Sequence, residues 1–154
     1  MINLGKTKIL PNDYPLLKRK SISVRDFESQ DIVELCEVML HAMAQNSLVG
    51  ISAVQVGKLE RVICFVMSVP DGDDKILAKP IYLINPEILE RSDAGEFNDT
   101  IEADDIHGGR SVFPYAMVLG YQQTDGEKKT IYVEGMNSVF AYRQIQYLDG
   151  LSVD

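Results

Sequence analysis

No run of roughly 18 apolar residues, the length a membrane-crossing helix needs, occurs anywhere in this 154-residue chain. Met1-Ile2-Asn3-Leu4-Gly5-Lys6 lacks the long apolar core of a secretory leader, so a cytoplasmic protein with no membrane partner is expected. Cations are scarce and scattered. The net charge is −8, and only Lys18-Arg19-Lys20 gathers basic residues, which reads as a solvated edge. Binding to a phosphate backbone needs a concentrated cationic face, so no nucleic-acid partner is expected. Cysteine is limited to Cys36, in a helical pattern, and Cys64, in the strand-like Val62-Ile63-Cys64-Phe65-Val66. Both settings are apolar, and core packing is the expected role. Internal repeats and linkers are also missing.

What is present fits one domain over residues 1–154, with 45% hydrophobic and 25% charged residues. A chain of this size buries about 68–70% of its unfolded surface, enough for a core without disulfides. From 31 to 45, Ile32, Leu35, Met39 and Met43 recur at helical spacing, and Val33, Cys36 and Leu40 widen the stripe. Residues 62–67 and 81–84 are β-rich and flank the turn signal Pro70-Asp71-Gly72-Asp73-Asp74. Asp125-Gly126 between 118–123 and 129–133 predicts a hairpin, because both residues tolerate positive φ. Asn137 and Ser138 are good N-caps for a helix over 139–148. The acidic segment from Asp93 to Asp105 lacks the oxygen-ligand spacing of a calcium loop and reads as a solvated loop. Strands in the middle and helices at the ends predict an α+β fold.

The last helix ends in Arg143-Gln144-Ile145-Gln146-Tyr147-Leu148-Asp149-Gly150. A catalytic zinc helix places two imidazoles four residues apart on one face, beside a glutamate base. Here the same face offers a guanidinium, an amide and a phenol. On its own the octapeptide reads as an amphipathic helix end stopped by Gly150. Upstream stand Gly50-Ile51-Ser52-Ala53-Val54-Gln55 and Leu83-Ile84-Asn85-Pro86-Glu87-Ile88. These segments, in this order and with strands between them, resemble the peptide deformylase family, which removes the formyl group from N-formylmethionine using a metal-bound water. The first is similar to the family's G-x-G-[LI]-A-A-x-Q, with Leu48 at the first Gly and Ser52 at the first Ala. The second is similar to L-I-N-P-E-[IL], and the octapeptide falls on H-E-x-x-H-L-x-G, keeping Leu148 and Gly150. The family's E-G-C-L-S falls on Glu102-Ala103-Asp104-Asp105-Ile106 or, in a rival register, on His107-Gly108-Gly109-Arg110-Ser111 with Gly109 at the Cys.

The resemblance implies a deformylase-like fold, with antiparallel or mixed sheets packed around a C-terminal helix and a helix near the N-terminus. It implies a peptide groove at Val49, Gly50, Ile51 and Gln55. It also puts Gln55 and the backbone N–H of Asp105 at the oxyanion, Gln144 at the base, and Asp104, Arg143 and Tyr147 at the three metal ligands. Arg143 has no lone pair, Gln144 takes no proton at neutral pH, and one carboxylate cannot rebuild a three-ligand site. The expectation is therefore a catalytically inactive deformylase-like protein without metal or other cofactor, binding a peptide or protein N-terminus. The alternative is a hydrolase acting on formyl-methionyl peptides by a metal-independent route, with His107, Asp104 and Asp105 as the titratable groups. Asp104 and Arg143 are expected either to pair, with Tyr147 as a third member, or to leave Arg143 facing solvent.

Overall fold

The computed structural model describes residues 8–96 and 98–151, so the leader reading made on residues 1–6 lies outside the described part. The first helix, α1, spans Asp31–Gln45 and buries Ile32, Leu35, Cys36, Met39, Ala42 and Met43 on one face. Val33 and Leu40, expected to widen that stripe, lie at its margins and are exposed. The strands that follow are β1 Gly50–Ser52, β2 Val62–Pro70, β3 Ile76–Arg91, β4 Thr100–Asp104, β5 Arg110–Pro114, β6 Ala116–Gln122 and β7 Lys128–Glu134. A second helix, α2 Met136–Leu148, closes the described chain.

Five strands form an antiparallel sheet in the order β1-β2-β3-β6-β7, and β4 with β5 forms a separate hairpin. The run Val62 to Phe65 is apolar at every position because β2 is covered on both faces. Successive side chains point to opposite sides of a strand. Val62 and Cys64 therefore meet α1, together with Ile51 of β1 and Ile84 of β3. Ile63 and Phe65 meet Ala141, Ile145 and Leu148 of α2. Each such large side chain contributes about 1.5–3 kcal/mol on full burial. Both thiols are buried in the α1 layer, as expected of core residues, and burial pushes each up to about 12. The α+β architecture expected from the sequence is the one observed.

Several local expectations are corrected. The strand predicted over 81–84 runs from Ile76 to Arg91, because its first half pairs with β2 as an extended arm whose Ile76 and Leu77 are exposed and carry no periodic burial signal. The acidic loop ends in β4, where Glu102 sits opposite Val112 and Asp104 opposite Arg110. Alternating charges on a solvated hairpin hide a strand from a hydrophobic pattern. The cap of α2 is Gly135, with φ 62°, and the helix starts before Asn137 and Ser138. Those two side chains fasten the helix to the strands instead. Asn137 exchanges hydrogen bonds with the backbone of Ser68 at 3.1 and 2.8 Å, and Ser138 Oγ donates to the Pro114 carbonyl at 2.7 Å.

Candidate functional site

Along one face of α2, Arg143, Gln144 and Tyr147 border a cleft of about 320 Å³, whose other walls are Leu48 to Gly50, Gln55, and Asp104 to Ile106 at the β4–β5 turn. The helical period puts residues 143 and 147 one above the other. The cleft runs beside β1, an edge strand of the five-stranded sheet. Of the residues assigned to a peptide groove by resemblance, Val49, Gly50 and Gln55 line this cleft, whereas the Ile51 side chain points into the α1 core and is fully buried. Strand alternation sends neighbouring side chains to opposite faces, and Ile51, set against Cys64 of β2, is not part of the cleft wall.

Ser52 begins a 3-10 turn over Ala53–Val56 and shares a reciprocal cap with Gln55. Gln55 Oε1 accepts from the Ser52 N–H at 2.8 Å, which leaves the amide N–H groups of Gln55 as its remaining donors. The Ser52 hydroxyl lies 2.9 Å from both the backbone carbonyl and Oε1 of Gln144, and its single proton serves one of them. Gln144 itself is buried. A Cβ at Gly50 would lie 2.7 Å from Gln144 Nε2, so glycine there is what lets the amide lie against the strand.

Three expectations change at the β4–β5 turn. The Asp105 N–H, placed at the oxyanion by resemblance, is already committed, donating to the Gly109 carbonyl at 2.9 Å to close the turn. Its carboxylate accepts from the backbone of His107 and Gly109 and from the Ser111 hydroxyl at 2.8, 3.0 and 2.6 Å. These donors, Ser111 foremost, hold the Asp105 carboxyl below its usual range. His107 is exposed and forms no part of the cleft wall, which includes Gly108 but not Gly109.

The Asp104 carboxylate does not pair with Arg143. It is 75% exposed and turns to Arg110 across the hairpin at 3.3 Å. Arg143 Nε instead donates to the Asp104 backbone carbonyl at 2.7 Å. Alternation along β4 explains this, since the strand directs the Asp104 side chain toward solvent while its carbonyl faces the helix. The Arg143 guanidinium is half-buried and lies over the rings of Phe113 and Phe140 at 5.8 and 5.9 Å from their centroids. Burial pulls the Arg143 pKa down, opposed by Asp104, Asp105 and Tyr147. The Tyr147 ring packs with Leu17, Val54 and Ile106, and burial pushes its phenol up against the opposing pull of Arg143. Nothing in the sequence pattern signalled the Ser52–Gln144 contact, which joins residues 92 positions apart.

The profile of a family described as Polypeptide deformylase matches residues 6–154. A peptide deformylase of Natranaerobius thermophilus is 31% identical over 94% of this chain and 88% of its own length. One of Finegoldia magna is 29% identical over 92% of this chain and 83% of its own. Among solved structures, a class I type b peptide deformylase of Acinetobacter baumannii with Met-Ala-Ser bound superposes with a TM-score of 0.80 at 20% identity. It covers 94% of this chain and 95% of that one. These likenesses overturn the expectation of an inactive binding protein. The relatives that match nearly the whole chain are named as enzymes, so exchanged side chains on one helix face do not establish the loss of activity.

Proposed function

This chain belongs to the polypeptide deformylase family, and from that premise we propose that the cleft beside β1 takes the N-terminus of a formyl-methionyl peptide and that the chain hydrolyses its formyl amide. The observation that carries the reading is the cleft itself, which joins an edge strand, Gln55, the β4–β5 turn and one face of α2 in a single concave site. An extended peptide adds to a strand edge through main-chain hydrogen bonds, and Gly50 supplies that edge, because the Val49 carbonyl already accepts from the Val66 N–H at 2.8 Å.

The family's metal-bound water does not suit the groups found at the corresponding positions. Arg143 is a cation without a lone pair, Tyr147 is held protonated by burial, and the Asp104 carboxylate turns outward to Arg110. The reaction therefore rests on the chain's own side chains. Water adds to the formyl carbon, the C–N bond breaks, and formate and a free amine result. Donors aimed at the developing oxyanion are the largest single contribution in such acyl transfers, and the Arg143 guanidinium and the Gln55 amide border the cleft in that capacity. Asp105 is the carboxylate at the cleft that can take the water's proton. The hydrogen bonds from Ser111, Gly109 and His107 that hold its carboxyl below the usual range make it a weaker base than a free carboxylate.

Formate release from a formyl-Met peptide tests this directly. Turnover is expected to scale with protein, to survive a chelator, and to fall by about 10²-fold or more in Asp105→Asn, the usual effect of removing a general base. Loss of all turnover on chelation, or equal rates in Asp105→Asn, overturns the proposed route.

A further inference from the structure

The geometry points to a carboxylate-binding cradle formed by Arg143 and Gln144, in which a ligand's carboxylate, rather than a cation, sits in the cleft. Consecutive residues of α2 are each tied to the fold by one atom. For Arg143 it is Nε, on the Asp104 carbonyl; for Gln144 it is Oε1, against the Ser52 hydroxyl. The atoms left over are donors: the two terminal amines of the guanidinium and the Gln144 amide nitrogen.

Charge bookkeeping favours the same ligand. Among the described residues no carboxylate lies within salt-bridge distance of Arg143, although the group is half-buried. The two nearby carboxylates have other partners, Asp104 in Arg110 and Asp105 in Ser111 and two backbone N–H groups. A partly desolvated guanidinium held by a neutral carbonyl and two aromatic faces lacks its best partner, since a carboxylate accepts two parallel N–H donors from its fork. Gly50 keeps the cradle open, because a Cβ there would displace the Gln144 amide.

The carboxylate arrives either free, as formate or acetate, or as the terminal group of a peptide. The cradle itself stands on this geometry; only the choice of formate as a probe rests on the deformylase reading.

The test follows the Arg143 side-chain Nε–H resonance and the unfolding temperature of the intact chain against sodium formate, sodium acetate, and sodium chloride at matched ionic strength. A Met-Ala-Ser peptide is added as the free acid and as the C-terminal amide. The expected result is saturable movement of the Arg143 resonance with formate or acetate and none with chloride. Arg143→Met and Gly50→Ala should each weaken binding ~10-fold or more, and Arg143→Lys should weaken it less than Arg143→Met. The free-acid peptide competing where its amide does not assigns the site to a peptide terminus; equal behaviour of the two assigns it to the small anion. Wild-type resonances that respond alike to formate and chloride overturn the cradle, even if a variant fails to fold. Carboxylate binding without formate release would leave the cradle intact and refute the hydrolase, and formate release without carboxylate binding would do the reverse.

Discussion

Asp104 shows how little a residue's alignment position says about where its side chain goes. Its carbonyl reaches Arg143, while its carboxylate lies across the hairpin from Arg110 at the surface. An exposed ion pair of this kind contributes about 0–1 kcal/mol, whereas losing one partner of a buried pair costs about 3–5 kcal/mol. Asp104→Asn is therefore expected to change stability by no more than about 1 kcal/mol. Combined with Arg143→Met, the losses should add, because the contact between the two residues runs through the backbone and survives the change to Asn. Denaturant unfolding of the wild type, both single variants and the double variant measures this, and a coupling of several kcal/mol would show that the carboxylate reaches the guanidinium.

At the scale of elements, Asn85 is the joint that lets one long strand serve two neighbours. It sits at φ 52° between Ile84, the last residue of β3 paired with β2, and Glu87, where regular pairing with β6 resumes. Asparagine tolerates that left-handed conformation better than most residues because its side chain bonds locally or to nearby backbone. Here Oδ1 accepts from the Val24 N–H at 2.8 Å, and Nδ2 donates to the Val24 carbonyl and to Gln122 Oε1 at 2.9 and 2.8 Å. Asn85→Ala removes these bonds and keeps an ill-suited backbone, so a loss of about 2–4 kcal/mol is expected in chemical denaturation. Asn85→Gly should lose less, since glycine relieves the backbone and forfeits only the side-chain bonds.

For the molecule as a whole, the core between α1 and the sheet carries two thiols whose ionisation opposes folding. Burial raises Cys36 and Cys64 from 9.0 to about 12, so the folded chain keeps protons that the unfolded chain releases. Their contribution is intact below pH 9 and declines as pH rises toward about 12. Unfolding free energy is expected to fall over that alkaline window. Replacing both cysteines with alanine should flatten the slope while lowering stability at neutral pH through the cavities left behind. A slope identical in the double variant would assign the alkaline loss to other groups, of which Tyr82, also raised to about 12, is the nearest in this layer.

The sequence alone determined the regular core: the α1 stripe, the apolar β2, the Asp125-Gly126 hairpin and the α+β class all follow from periodicities that local sterics and burial impose. It also put residues 143 and 147, four apart, and 144 and 147, three apart, along one side of the helix, because those spacings make neighbours on a helix surface. The β4–β5 hairpin and the exposed half of β3 escaped because strands wetted by solvent carry no hydrophobic alternation. The polar contacts between elements, those of the cleft included, were decided by tertiary structure. Ser52 meets Gln144, Asn137 meets Ser68, and Arg143 meets the Asp104 carbonyl only after the sheet and α2 have packed. Hydrogen bonds depend on ångström-scale placement of atoms distant in sequence, whereas burial depends only on which face of an element an apolar residue occupies.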